Sequence, residues 1–118
     1  MKKNNFLILL ALIFFSCVAA YEIDISRRKV VLLAPVNNLS TTEPMHTFYW
    51  ALVDGAGQYQ LQIVSPRFDS IVRLVVDTTL DRNTFPIVLA IGTYQWRVRA
   101  KNSAYNSEFS DVWNLIIQ

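Results

Sequence analysis

The chain has 118 residues, with eleven Lys and Arg against nine Asp and Glu, one His, one Cys and a formal charge of +2. This length suits one compact domain. A single cysteine excludes an internal disulfide, and one His with one Cys cannot assemble a closed zinc site from this chain alone. We therefore predict one domain without a disulfide framework, a metal or a cofactor.

The N-terminus has the layout of an export signal. Lys2 and Lys3 precede ten consecutive apolar residues, Phe6 to Phe15. A membrane-spanning helix needs about 20 apolar residues, so this run is too short to span and we expect it to direct export. We predict a helical signal peptide over residues 1–16.

Cys17 lies at the C-terminal edge of the apolar run. With Ser16 before it, Cys17 resembles the lipobox of bacterial lipoproteins, in which a small residue precedes a cysteine that is lipidated and becomes the new N-terminus. Phe14 stands where that family usually has Leu. The small residues that end at Ala20 also suit cleavage after Ala20, which would release a periplasmic or secreted domain. We favour lipidation of Cys17, because chance placement of the only cysteine here is improbable, with residues 17–28 as the lipidated N-terminus and a short spacer.

The positive charge belongs to the signal segment. From Cys17 onward the chain has nine basic and nine acidic side chains, which leaves no net charge. A nucleic-acid-binding protein normally concentrates excess positive charge on one face. We therefore predict no nucleic-acid partner, and we interpret the short run Arg27–Lys29 as a solvated entry to the first strand.

The rest of the chain alternates apolar and polar residues over short segments separated by Gly, Pro, Asn and Asp, which is typical of strands. We predict an all-β sandwich over residues 29–118 with a loop at 37–44 and a strand break at Pro66. Pro86 indicates that its strand lies at a sheet edge. The seven predicted strands are 30–34, 47–52, 58–64, 70–78, 84–89, 92–101 and 112–117. The predicted aromatic core consists of Trp50, Tyr59, Tyr94, Trp96 and Trp113.

Three segments, Phe48–Trp50, Tyr59–Ile63 and Gly92–Ala100, resemble the fibronectin type III-like domains of bacterial envelope proteins. The resemblance implies a seven-stranded fibronectin type III or immunoglobulin-like sandwich, with Tyr94 in the tyrosine-corner position and Leu89 just upstream. The chain also resembles short exported lipoproteins of Gram-negative bacteria. The implied location is a Gram-negative cell envelope, with the outer membrane favoured over the inner membrane.

In the resembled fold the third and sixth strands are neighbours, which would place their polar residues on one outer face. The candidate binding face consists of Gln60, Gln62, Gln95, Arg97, Arg99 and Lys101. An ordinary solvated sheet surface is the competing interpretation. Residues 102–110 form a candidate binding loop, in which Tyr105 and Phe109 would contact the partner. Alternatively, Phe109 packs under the sandwich and only Tyr105 is exposed.

No catalytic residues are predicted. His46 is the only imidazole, no motif brings a serine and an acid to it, and the aspartates lie in predicted turns or strand ends. We predict a non-enzymatic, lipid-anchored envelope protein whose sandwich binds an unknown protein or glycan. The alternatives are a structural accessory subunit of an outer-membrane complex and a small secreted domain cleaved after Ala20.

Overall fold

A computed structural model describes residues 21–118; the predicted signal peptide and Cys17 lie outside these residues. The described part contains eight strands and no helix, so it holds no helix that is long and apolar enough to cross a membrane. The strands are β1 (Leu32–Ala34), β2 (Leu39–Thr41), β3 (Met45–Trp50), β4 (Gln58–Arg67), β5 (Ser70–Leu80), β6 (Thr84–Val88), β7 (Gly92–Lys101) and β8 (Trp113–Ile117).

The strands form two sheets, which confirms the predicted all-β sandwich. One sheet has three strands in the order β1-β3-β6, and the other has five in the order β2-β8-β7-β4-β5. Strand β6 lies at an edge of its sheet, where a proline that cannot donate to a ladder is tolerated, as Pro86 indicated. The long central strands β4 and β7 show strict alternation of buried and less buried residues along most of their length.

The predicted number of seven strands is wrong, because β2 lies inside the predicted loop 37–44. Leu39, Ser40 and Thr41 pair in parallel with the last strand of the chain. The Asn37 side chain accepts a hydrogen bond from the Asn114 backbone N–H at 2.8 Å and helps to fix this pairing. Three residues without strong alternation give no strand signal, so only the distant partner makes this segment a strand.

The hairpin of β4 and β5 is longer than predicted and irregular. Strand β4 continues through Pro66 to Arg67, whereas the sequence predicted a break at this proline. Pro66 lies beside a register shift, where the ladder is already interrupted and a missing N–H is tolerated. Val72 and Val75 of β5 are extra residues without a direct partner on β4. Each is a β-bulge, which bends and twists the strand.

The core lies between the two sheets and is rich in aromatic rings. Phe48 meets Trp96 edge-on with ring centroids 4.8 Å apart, and Trp50 meets Tyr59 at 5.9 Å. Four of the five predicted core aromatics are buried, while Trp113 is partly buried and packs edge-on against Trp96. Edge-to-face pairs stabilise a core beyond the area that they bury. The packing of these rings therefore stabilises a fold that, with one cysteine in the chain, has no internal disulfide.

Residues 21–26 form a strap across one end of the sandwich. Ile25 is fully buried in the core, and the Asn102 side chain donates hydrogen bonds to the backbone carbonyls of Ile23, at 2.8 Å, and Gly55, at 3.1 Å. The strap was predicted to be spacer. Of residues 21–26 only Ile25 is buried, and one buried residue among exposed neighbours gives no sequence pattern that predicts a packed segment.

Candidate binding face

The polar residues predicted to form a binding face lie on the two central strands of the five-stranded sheet. Gln60 pairs with Arg99 and Gln62 pairs with Arg97 across the β4–β7 ladder. Their neighbours in sequence point into the core, because successive side chains of a strand alternate between its two faces. We call the surface formed by Gln60, Gln62, Gln95, Arg97, Arg99, Lys101 and the adjacent Asp77 the polar face.

A ladder of hydrogen bonds crosses three strands of the polar face. Arg97 Nε donates to Gln62 Oε1 at 2.9 Å, and Arg99 Nε donates to Gln60 Oε1 at 2.8 Å. The amide of Gln60 in turn donates to one carboxylate oxygen of Asp77 at 2.8 Å, and that of Gln62 lies 3.4 Å from the other. The ladder holds each arginine through its Nε and thereby limits the orientations that the two side chains adopt.

Aromatic rings cover the arginines. The guanidinium carbon of Arg97 lies 4.2 Å from the ring centroid of Phe68 and 4.1 Å from that of Phe109, and the Arg99 carbon lies 4.8 Å from Phe109. Such cation–π contacts hold a guanidinium in a fixed plane. Burial, followed by the nearby charge of Arg99, lowers the pKa of Arg97, while Asp77 opposes this effect.

Phe109 is not packed under the sandwich, which was one of the two placements considered from the sequence. It is half-buried on the outside of the sheet, against the arginines. Tyr105 is 37% exposed and follows a turn in which the Asn102 side chain accepts hydrogen bonds from the Ala104 and Tyr105 backbone N–H groups. The two aromatic residues of the predicted binding loop thus have different surroundings.

Ser107 and Ser110 hold the segment that carries Phe109, and neither serine was predicted to be functional. Strand β8 pairs with β7 only as far as Trp96. Further along β7, serine hydroxyls accept the backbone hydrogen bonds: the N–H of Val98 donates to Ser110 Oγ at 3.0 Å, and the N–H of Ala100 donates to Ser107 Oγ at 2.7 Å. Both serines are buried. Their spacing of three residues leaves Phe109 outside the ladder, over the arginines. Serine is common in polar loops, so its sequence context gives no signal for this role.

Phe68 is also a contributor that the sequence did not indicate. It follows β4, and its backbone N–H donates to Gln95 Oε1 at 2.9 Å, while Gln95 Nε2 donates to Asn114 at 2.9 Å. Gln95 thus holds the hairpin end against the sheet. Of the predicted binding residues, Gln95 has its amide oxygen and nitrogen engaged within the fold, whereas Lys101 ends the row of cations at the far end of β7.

The Nη groups of Arg97 and Arg99 remain available to bind a partner. Within residues 21–118, Arg97 and Arg99 donate hydrogen bonds on the polar face through Nε alone. In that same part of the chain, the buried side-chain nitrogens and oxygens without a partner are the indole nitrogens of Trp50 and Trp96, so the Nη groups are in contact with solvent. The polar face therefore presents three cations and one carboxylate.

His46, the one imidazole, lies on β3 and its Nε2 is 2.7 Å from the carbonyl oxygen of Glu43. That contact is local to the start of the strand. Across residues 21–118 there is no group of three or more His, Cys, Asp or Glu side chains that could hold a metal ion.

Tyr94 forms the tyrosine corner that the resemblance implied. Its hydroxyl donates to the backbone carbonyl of Ala90, four residues upstream, at 2.6 Å, and Leu89 is buried beside it. This link between a central strand and the preceding crossing loop is a hallmark of immunoglobulin-like sandwiches.

Solved structures are similar to this chain, and two of them are described here. The solution structure of the fibronectin type III domain of human fibronectin type III domain containing protein 3 matches with a TM-score of 0.52 and 14% identity, over 84% of this chain and 91% of that chain. A structure described as FN3tt mut has a TM-score of 0.47 and 16% identity, over 74% and 83% respectively. No protein-family model and no curated protein matches. The human domain and the corner at Tyr94 together show that this chain has a fibronectin type III-like β-sandwich fold.

Proposed function

We propose that this chain is a non-enzymatic, lipid-anchored envelope protein whose β-sandwich is an interaction module for a protein or glycan partner. The observation that carries the interaction role is the polar face, where hydrogen bonds and aromatic rings hold two arginines with their Nη groups in solvent. An ordered cationic surface loses little side-chain entropy when a partner binds. An ordinary solvated face has no need of such support.

The sequence before the strap supports the anchor. Cys17 follows a basic start and an apolar run, which is the arrangement of a lipoprotein signal. Only five residues lie between Cys17 and Ile23, which makes six residue steps, and the Ile23 carbonyl is hydrogen-bonded to Asn102. At about 3.3–3.6 Å per extended residue this link reaches roughly 20 Å. An acylated Cys17 would therefore keep the sandwich close to the membrane, favouring a partner that is itself at the membrane.

The mature N-terminus tests the anchor directly. We expect mass spectrometry of the chain from its native envelope to find an acylated Cys17, and we expect Cys17→Ser to abolish this acylated species and the recovery of processed protein with membranes. Ala20→Leu is the matched control, because it disrupts cleavage after Ala20 and leaves the lipoprotein signal intact. An unmodified N-terminus at Tyr21 would contradict lipidation and support the secreted alternative.

Cross-linking of variants distinguishes a binding role of the polar face from the role of a structural accessory subunit. We expect cross-linking in the native envelope to capture a partner that is lost from the Arg99→Gln variant and kept by Arg82→Gln, a change in the β5–β6 turn. A stoichiometric partner that copurifies equally well with both variants would favour the structural accessory subunit instead.

A further inference from the structure

The three cations of the polar face form a regular row. Arg97, Arg99 and Lys101 are alternate residues of one strand, β7, and lie on its outer side. Alternate residues of a strand are about 6.6–6.8 Å apart. We call these three side chains the cation row. A ligand that matches it must present negative charges in a line with the same repeat.

Arg97 and Arg99 are held in place, and the cation row is poorly neutralised. Arg97 and Arg99 use Nε for the glutamine ladder and stack on Phe109, which leaves their Nη groups in contact with solvent. The one carboxylate in the ladder, Asp77, receives its hydrogen bonds from glutamine amides rather than from the arginines. The positive potential of the row is therefore left for a partner to neutralise.

We propose that the cation row binds an extended acidic peptide segment of a partner protein, with a carboxylate at every second residue. This inference rests on the interaction role proposed above and names its partner chemistry. Alternate side chains of an extended segment repeat at the same distance as those of β7, so three carboxylates face three cations in register. Guanidinium groups also bind carboxylates through paired hydrogen bonds.

The aromatic residues favour this partner over a neutral sugar. Phe68 and Phe109 are already stacked on guanidinium groups, so the polar face offers cations in place of free rings. The bulged edge of β5 adds a second reason, since an extended segment cannot easily add to the sheet along that edge, which lies next to β4 and its glutamines.

Binding of designed peptides tests the match. The full chain in nonionic detergent is titrated into a labelled short peptide that has glutamate at every second position and serine between. The matched control peptide has the same composition with its glutamates adjacent, which puts neighbouring carboxylates on opposite sides. We expect the alternating peptide to bind at least several-fold more tightly, with an affinity that falls as salt is added. Equal affinity for both peptides would overturn the register.

Variants of the row supply the second readout. We expect Arg99→Gln to raise the Kd roughly tenfold and Lys101→Gln to raise it by a smaller factor, while Arg82→Gln leaves it unchanged. Lys101 has no part in the glutamine ladder, so its variant keeps the test valid if Arg99→Gln unfolds. An unchanged Kd in a folded Lys101→Gln variant would contradict a three-cation site.

Other ligands are outcomes that overturn the inference. Binding of polygalacturonate or of vesicles containing phosphatidylserine, without binding of the alternating peptide, would assign the row to a different anion. The anchoring proposal fails separately: an unmodified Tyr21 N-terminus with retained peptide binding leaves the inference intact. An acylated Cys17 and a captured partner without peptide binding would overturn the inference alone.

Discussion

The hydroxyl oxygen of Ser110 accepts a hydrogen bond from the backbone N–H of Val98 at 3.0 Å, where β8 has not yet begun. The serine side chain thus substitutes for the backbone carbonyl that a regular neighbouring strand would supply. A side chain that completes a ladder in this way should be costly to remove, although it has no part in ligand chemistry.

We expect Ser110→Ala to lower the free energy of unfolding by about 1–3 kcal/mol, because it leaves the N–H of Val98 buried without a partner. Urea unfolding measures this change. Ser40→Ala, at an exposed serine of β2, is the control and should stay within about 0.5 kcal/mol of the parent chain. Unfolding curves of Ser110→Ala and the parent that coincide would show that water replaces the hydroxyl.

Arg97 and Phe109 should be energetically coupled. A double-mutant cycle with Arg97→Gln and Phe109→Leu should give a coupling energy of about 0.5–2 kcal/mol, since the guanidinium is stacked and partly desolvated. The cycle is measured by urea unfolding. Arg82→Gln combined with Phe109→Leu is the control pair, and its effects should add. Additive effects for Arg97 and Phe109 would mean that the stack does not stabilise the fold.

The tyrosine corner should contribute measurable stability. Tyr94→Phe removes the hydrogen bond to the Ala90 carbonyl and keeps the buried ring, so we expect a loss of about 1 kcal/mol. In a domain of this size that lowers Tm by about 4–8 °C, measured by circular dichroism. Tyr49→Phe, at an exposed tyrosine of β3, should leave Tm nearly unchanged. A similar Tm for both variants would contradict a role for the corner.

The two glycines of the β3–β4 turn should tolerate alanine differently. Gly55 has a φ of 85°, and a Cβ there would lie 2.8 Å from Cβ of Ile23 in the strap. We expect Gly55→Ala to cost more than about 1 kcal/mol, because both backbone conformation and the strap resist it. At Gly57 a Cβ has its nearest contact at 4.0 Å, so Gly57→Ala should be mild. Hydrogen exchange of residues 23–26 would show whether the strap loosens in Gly55→Ala alone.

Asp24 should titrate below its ordinary range. The hydroxyl and the backbone N–H of Ser26 both donate to its carboxylate and lower its pKa. Because the folded pKa is depressed, any stabilisation is present above about pH 4 and is lost as the pH falls. NMR titration should find a depressed pKa that Ser26→Ala returns toward normal. An unchanged pKa in Ser26→Ala would assign the shift to another group.

Long alternating segments made much of this fold predictable. β4 and β7 have the period-two pattern of a half-buried strand, and the aromatic residues within it mark the core. The neighbouring positions of Gln62 and Arg97 follow once the resemblance to a fibronectin type III-like domain supplies the strand order. The composition of the polar face could thus be predicted before its structure was known.

The supports of the polar face could not be predicted, because each depends on contacts between distant segments. Phe68 reaches Arg97 through a hairpin end, and Phe109 reaches it through an irregular segment held by Ser107 and Ser110. No local pattern distinguishes such residues from ordinary loop residues. The same holds for Ile25, which joins the core from a segment whose neighbours are exposed.

The two bulges of β5 hinder pairing between copies of this domain. Strand β5 is a sheet edge of eleven residues with exposed apolar side chains, among them Val72, which is 84% exposed. A long, straight edge of this kind invites another copy to pair with it and aggregate. The extra residues at Val72 and Val75 interrupt the run of outward-facing backbone groups, so two copies cannot align continuously along it. Copies of this domain that meet at high concentration should therefore remain separate molecules despite their apolar edges.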